Sequence, residues 1–121
     1  RQLKMGQFEK PKKNQEAFNM LSALSGKTHK VLTGINILYL EGDVNFTFAE
    51  ETLVTFNQLD PSEILYYIEK YKPFDKAGSY GIQDFSSIFV NSINGCYFNV
   101  VGLPLSTLFY HLKKFKLIQF P

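Results

Sequence analysis

The chain has 121 residues, with 13 Lys and Arg against 11 Asp and Glu, so its formal net charge is +2. A charge this small does not indicate a nucleic-acid-binding protein, and 45% hydrophobic with 20% charged residues excludes a disordered chain. No apolar run reaches the roughly 18 residues of a membrane span. The single Cys96 excludes a fold held by internal disulfides and is typical of a reducing compartment, so we expect a cytoplasmic protein.

The first predicted element is a helix. Residues 1–13 are polar and basic and are interpreted as a leading segment without an element of its own. Asn14 is a typical helix cap, and apolar residues follow at helical spacing as far as Leu24. Gly26 stands where a glycine commonly ends a helix, so the helix is expected to stop there.

Three strands are predicted next. Residues 31–39 place apolar side chains on both faces, which predicts a strand that is buried on both sides. The Glu-Gly-Asp sequence at residues 41–43 predicts a turn. Residues 44–48 and 52–56 then predict two short strands.

The next helix has the clearest start signal in the sequence. Asp60 can cap it, Pro61 suits the first turn, and Glu63 completes a capping box. Its side chains predicted to face inward are Ile64, Leu65, Ile68 and Tyr71. The loop at residues 73–81 follows, and its glycines allow the backbone to approach a ligand closely.

The last part of the chain predicts a strand, a hairpin turn and a helix. Residues 88–93 form the strand, and Asn94-Gly95 is a strong hairpin signal. The helix begins near Pro104 and ends with lysines that complement its dipole; Leu105, Leu108, Leu112 and Phe115 form its apolar stripe. Together these elements predict an α/β domain with a mixed sheet and flanking helices.

Three side chains suit the recognition of a nucleotide. Lys10, which precedes a proline, and Lys76, which precedes glycine-rich sequence, can each place a point charge on phosphate oxygens. Gln83 offers a donor and an acceptor side by side, as a base edge requires. From the residue types alone, solvated surface lysines remain the alternative interpretation.

Other possible sites are not favoured. The Gly-Lys-Thr triplet at residues 26–28 lacks the first glycine of a P-loop, whose place is taken by Leu21, and it follows a helix rather than a strand. His29 and His111 lack the spacing of a zinc site. Cys96 has no local His or Asp partner, so we expect an ordinary thiol in a strand.

Four segments resemble, in order and spacing, those of the Maf family, and the resemblance extends over nearly all of the chain from Glu9 onward. The segments are Lys10-Pro11, residues 17–26 continuing into Thr28-His29-Lys30-Val31-Leu32-Thr33-Gly34, Asp75-Lys76-Ala77-Gly78-Ser79-Tyr80-Gly81-Ile82-Gln83, and Asn99-Val100-Val101-Gly102-Leu103-Pro104-Leu105.

The resemblance implies a Maf/ITPase-like fold and a nucleoside triphosphate pyrophosphatase that cleaves between the α and β phosphates. It also implies a divalent metal, with Mg²⁺ as the expected ion, and a homodimer; no nucleic acid or membrane partner is expected. The Tyr-Gly-Ile-Gln sequence at residues 80–83 resembles the branch that acts on dTTP, UTP and modified pyrimidine nucleotides.

The resemblance also implies roles for individual residues. Gln83 would contact the base, while Lys10 and Lys76 would face the triphosphate. Asp75 would either orient Lys76 or help to hold the metal.

The chain departs from the family pattern at its start. The family's opening strand, its Ser-x-Ser-x-Arg-Arg loop and an Asp-Thr pair with the catalytic Asp do not occur here, and the first residue is Arg1 rather than Met. We therefore expect one N-terminally truncated domain over residues 1–121, with no catalytic residue of its own and little turnover. The alternatives are a non-catalytic nucleotide-binding or regulatory protein and, from another class, a single-strand-binding module that stacks bases on Phe and Tyr.

Overall fold

A mixed four-stranded sheet with helices on one face makes up the computed structural model, which describes residues 13–121 and the backbone of residues 2–4. The strands are β1 (Gln2–Lys4), β2 (Thr28–Tyr39), β3 (Val44–Phe56) and β4 (Val90–Asn94), paired in that order. The helices are α1 (Asn14–Leu24), α2 (Pro61–Tyr71), α3 (Tyr97–Val101) and α4 (Leu105–Lys114). The predicted fold class is confirmed.

The sheet is mixed because β1 runs parallel to β2, whereas the other two pairs are antiparallel. Gln2 lies beside Thr28 at the start of β2. The prediction of a leading segment without an element is therefore wrong at Gln2–Lys4. This short Gln-Leu-Lys segment forms a strand because β2 supplies the backbone hydrogen bonds.

One face of β2 is buried and the other is open. Val31 and Ile37 are buried on the face that carries the helices, whereas Leu32 and Leu38 on the opposite face are 47% and 59% exposed. The predicted burial on both sides is wrong. An apolar run on both faces is typical of a strand between two layers, but the helices of the described chain pack against one face only.

The third strand, β3, is continuous rather than two short strands. It pairs with β2 along its whole length, from Val44 beside Tyr39 to Thr55 beside Thr28. Two glutamates in its centre, Glu50 and Glu51, weaken the strand pattern in the sequence. Pairing with a neighbouring strand overrides this local preference.

The first helix, α1, spans Asn14–Leu24 and buries Ala17, Leu21 and Leu24. Asn14 is the first helical residue instead of the cap, because Lys13 occupies the cap position without a side-chain hydrogen bond. Gly26 ends the helix as predicted: its φ is +66°, and its N–H donates to the carbonyl oxygen of Asn57 at 2.9 Å.

The helix α2 begins where the capping box predicts. Pro61 is its first residue, and the backbone N–H of Asp60 donates to the Glu63 carboxylate at 2.7 Å. The buried side chains are Ile64, Tyr67 and Ile68. Two of the side chains predicted to face inward, Leu65 and Tyr71, are exposed instead.

Replacing Glu63 by alanine should lower the free energy of unfolding by about 1 kcal/mol, because the N–H of Asp60 loses its acceptor at the helix end. Urea denaturation measures this change. Glu69→Ala, at an exposed position of the same helix, is the matched control and should change stability by less than about 0.5 kcal/mol. Equal losses for the two variants would contradict a capping role.

The region after α2 differs most from its prediction. Ala77–Ser79 form a tight turn with left-handed backbone at Gly78 and Ser79, a short 3-10 helix forms at Phe85–Phe89, and β4 begins only at Val90. Asn94-Gly95 does not form a hairpin: Gly95, with φ of +123°, leads from β4 into α3. Cys96 therefore precedes a helix instead of lying in a strand. The strand pairs with β3, which is remote in the sequence, so the local turn signal does not decide its partner.

The helix α4 spans Leu105–Lys114, as predicted, with Lys113 and Lys114 in its last turn. It packs on the outer part of the β2–β3 hairpin through aromatic contacts. The His111 ring lies 4.6 Å from that of Phe46 and 4.7 Å from that of Phe48. Within residues 13–121, none of the helices is long and apolar enough to cross a membrane.

Candidate functional site

A cavity of about 450 Å³ lies between β2, the loop after α2, and α3. Its apolar lining includes Val31 from β2 and two valines from α3, Val100 and Val101. Its polar lining comes from Lys76, Tyr80, Gln83 and Asp84. Apolar walls with a few charged or amide groups are typical of a ligand-binding cavity.

The side-chain carbons of Lys76 lie against Gly81 in the cavity wall. A side-chain carbon built at Gly81 would lie 2.9 Å from Cε of Lys76 and 3.2 Å from Oδ2 of Asp84. The lysine stem and the carboxylate therefore occupy the space that a larger residue at position 81 would need. Nζ of Lys76 also lies 3.6 Å from the carboxylate of Asp75, whose side chain is 79% exposed. A pair this exposed holds the lysine only weakly.

Asp84 is fixed by donors from two other residues. Its carboxylate accepts from the Tyr67 hydroxyl at 3.1 Å, from the Ser86 backbone N–H at 2.8 Å and from the Ser86 hydroxyl. Burial raises the pKa of Tyr67 above its ordinary value, and the nearby charge of Asp84 raises it further. These bonds hold the carboxylate at one place in the cavity wall.

Sequence reasoning missed Asp84. Its bond to the N–H of Ser86 caps the 3-10 helix Phe85–Phe89, and Asp is one of the residues preferred at a helix cap. That signal predicts a turn. It does not predict that the carboxylate also faces a cavity.

A buried pair, His29 and Tyr80, joins the cavity wall to the sheet: Tyr80 lines the cavity, and His29 lies outside the lining. Nε2 of His29 and the hydroxyl oxygen of Tyr80 are 2.6 Å apart, a hydrogen bond between β2 and the loop. Burial lowers the pKa of His29 to about 4 and raises the pKa of Tyr80. His29 is therefore neutral at physiological pH and acts as a core residue.

The described residues do not by themselves fit a divalent metal. Among them, no three His, Cys, Asp or Glu side chains lie close enough to hold an ion together. Asp84 is the carboxylate that lines the cavity in this part of the chain, and both of its oxygens accept hydrogen bonds from the protein. Mg²⁺ commonly binds through one or two carboxylates together with substrate phosphates.

Comparison with known protein families matches residues 2–115 to the family described as Maf-like protein. The chain belongs to the Maf-like protein family. It is 47% identical over 108 residues to a dTTP/UTP pyrophosphatase of Clostridium perfringens, covering 89% of this chain and 56% of the relative. It is 53% identical over 106 residues to a dTTP/UTP pyrophosphatase of Bacillus cereus, covering 88% and 54%. The predicted resemblance is confirmed, and the chain spans about half the length of these relatives.

Of the four residues predicted to bind substrate in this Maf-like chain, the structure brings two together. Lys76 and Gln83 line the same cavity. Asp75 lies outside the lining, paired with Lys76. Lys10 lies outside the described residues.

The Gly-Lys-Thr triplet of the Maf-like chain has the geometry of a helix end, as the alternative to a P-loop predicts. Lys27 folds back, with Nζ donating to the carbonyl oxygen of Ala23 at 3.3 Å. The hydroxyl of Thr28 is 2.8 Å from that of Thr55 on the neighbouring strand. Both side chains thus bond within the protein.

Proposed function

We propose that the chain is the base-recognising part of a nucleoside triphosphate pyrophosphatase acting on dTTP, UTP and related pyrimidine nucleotides. In this reaction water attacks a phosphorus atom, the bond between the α and β phosphates breaks, and a nucleoside monophosphate and pyrophosphate leave. One observation carries the proposal: Lys76 and Gln83 line one cavity in a chain whose relatives are named dTTP/UTP pyrophosphatases.

Gln83 suits a pyrimidine with a carbonyl beside an N–H. Its amide nitrogen can donate to the O4 carbonyl of uracil or thymine while its amide oxygen accepts from N3–H. Uracil and thymine share this edge, whereas cytosine has the opposite pattern. The Gln83 side chain is exposed at the cavity wall and is free to meet a base there.

Lys76 supplies the positive charge for the phosphates. An ammonium group places up to three donors against phosphate oxygens. The Asp84 carboxylate lies beside the Lys76 stem at Gly81, so a triphosphate that binds Lys76 also meets this negative charge. The apolar valines of β2 and α3 offer surface for the base and sugar.

The proposal includes a divalent metal ion, with Mg²⁺ as the expected ion, which would arrive bound to the triphosphate. Because the described residues do not form a metal site, we derive no step of the reaction through it. Attack by water needs a general base within reach; among the described residues, Asp84 is the carboxylate that lines the cavity, and Tyr67 and Ser86 hold it in the wall.

The second candidate function is nucleotide binding without hydrolysis, in a non-catalytic or regulatory protein. The bonding of both Asp84 oxygens to the protein favours it for this chain. Pyrophosphate release from dTTP and UTP, measured with Mg²⁺ present, separates the two functions. We expect little or no turnover from the 121-residue chain, and rapid turnover would contradict this expectation.

Gln83→Ala should weaken the binding of a non-hydrolysable dTTP analogue about threefold to tenfold, since a neutral hydrogen bond contributes about 0.5–1.5 kcal/mol. Isothermal titration calorimetry measures the affinity. Gln119→Ala, at an exposed position near the end of the chain, is the matched control and should bind as the wild type does. No binding by the wild type at millimolar nucleotide would count against both functions.

Two finer points are also proposed. A homodimer is supported by exposed apolar side chains on and beside α3 and α4; they are Phe98, Val101, Leu103, Leu105 and Phe109. Sedimentation equilibrium of the chain tests the homodimer, and a monomer at all concentrations would refute it.

A cytoplasmic location, with no nucleic acid or membrane partner, is supported by the single free Cys96 and the net charge of +2.

A further inference from the structure

One buried polar contact anchors the loop of the cavity to the sheet. Tyr80 lies between Lys76 and Gln83 in the sequence, and His29 is on β2, two residues before Val31, which lines the cavity. The side chains meet through the hydrogen bond of 2.6 Å between Nε2 and the hydroxyl oxygen. His29 is 0% and Tyr80 6% exposed. Tyr80 lines the cavity and His29 does not, so an effect of His29 on the cavity passes through Tyr80.

Three rings fix the direction of this contact. The His29 and Tyr80 rings meet edge to face with centroids 5.5 Å apart, and Phe56 of β3 contacts both, at 5.2 Å from His29 and 4.9 Å from Tyr80. Buried aromatic rings in such a cluster have few other packings available. The Tyr80 hydroxyl is therefore held at one point beside β2.

The backbone next to Tyr80 needs such an anchor. Ser79 has φ of +69°, in the left-handed region that a residue with a side chain adopts only at a cost. Its hydroxyl lies 3.3 Å from the sulfur of Met20, a weak hydrogen bond. Contacts with residues outside the loop must therefore hold Ser79 in this conformation. The hydrogen bond of 2.6 Å between His29 and Tyr80, the next residue along the chain, is one such contact.

We propose that His29 is a positioning residue: its hydrogen bond to Tyr80 fixes residues 80–83 so that Gln83 and Lys76 face the cavity together. The inference rests on the proposed nucleotide-binding function and names the residue that arranges the site. It predicts that losing the bond loosens residues 81–83 and weakens nucleotide binding even where the fold is as stable as before.

Double replacement separates positioning from stability. His29→Phe or Tyr80→Phe alone leaves one buried polar group without its partner, which is costly, whereas replacing both partners by apolar groups of similar shape can be nearly neutral. The double variant H29F/Y80F should therefore regain much of the stability lost in either single variant. It still lacks the bond, so its loop should remain loose.

The experiment uses the 121-residue chain with three measurements: urea denaturation, amide hydrogen exchange, and calorimetry with a non-hydrolysable dTTP analogue. In H29F/Y80F we expect the Gly81 amide, which donates to the Ser86 hydroxyl at 3.0 Å, to exchange faster by about tenfold or more, against unchanged exchange in α2. Affinity should fall about tenfold. His29→Gln, whose amide can still donate to Tyr80, should retain slow exchange.

Wild-type exchange at the Gly81 amide in H29F/Y80F would overturn the proposal, as would acceleration spread evenly over the whole chain. If the double variant fails to fold, Tyr80→Phe alone decides by the same comparison of the Gly81 amide with α2. Tyr110→Phe, exposed on α4, is the control and should match the wild type. If the wild type does not bind nucleotide, the proposed function fails, while hydrogen exchange still decides whether His29 positions the loop.

Discussion

Between pH 6.5 and pH 4, the wild-type chain should lose about 3 kcal/mol of stability that His29→Gln does not lose. Burial lowers the pKa of His29 to about 4 from its ordinary 6.5, and each unit of difference corresponds to about 1.4 kcal/mol. As the pH falls through this window, the unfolded chain binds a proton at His29 that the folded chain does not. Stability therefore falls with the pH, and above pH 7 the residue contributes nothing to its pH dependence.

Urea denaturation at intervals from pH 7.5 to pH 4 measures this effect as the difference in slope between the variants. Carboxylates that titrate below pH 5 contribute equally to both chains and cancel in the difference. Among residues 13–121, the rings that contact His29 are those of Phe56 and Tyr80, both uncharged at these pH values. His111→Gln is the matched control and should keep the full decline, because His29 is still present. Parallel curves for wild type and His29→Gln would contradict the prediction.

Lys76→Ala should weaken the binding of a non-hydrolysable dTTP analogue about tenfold to a hundredfold, because a hydrogen bond to a charged group contributes about 1.5–3 kcal/mol. Binding of thymidine, which has no phosphate, should change little. Thermal stability should also be retained, since the lysine side chain is partly exposed and its ion pair with Asp75 is weak.

Calorimetry at two salt concentrations strengthens this test. Added salt should weaken triphosphate binding by the wild type more than binding by Lys76→Ala, since screening acts on the charge that the variant lacks. Lys70→Ala, in the last turn of α2, removes the same charge away from the cavity lining and serves as the control. Equal losses of affinity for thymidine and the triphosphate analogue would show that Lys76 does not face the phosphates.

The sequence predicts those parts of the fold that depend on neighbouring residues. The start of α2 follows from Asp60, Pro61 and Glu63 because the capping box is closed within one turn. The end of α1 follows from Gly26 for the same reason. The family motif likewise places Lys76 and Gln83 at one site, since both lie in one short segment.

Contacts between distant residues are beyond such reasoning. His29 and Tyr80 are 51 positions apart, and Tyr67 and Asp84 are 17 apart, so no local pattern marks either pair. The strand partner of β4 is decided by β3 and not by the Asn-Gly turn signal. Burial on one face of β2 depends on where helices pack, which an apolar run does not specify.

The substitution Gly81→Ala should have different outcomes in two kinds of genetic screen. The backbone φ of Gly81 is not in the left-handed region, so alanine is compatible with the conformation there. An alanine methyl group would displace Cε of Lys76, which lies near the end of a flexible side chain and can move into solvent. Selection for folded, soluble protein should therefore accept Gly81→Ala, whereas selection for nucleotide recognition should reject it.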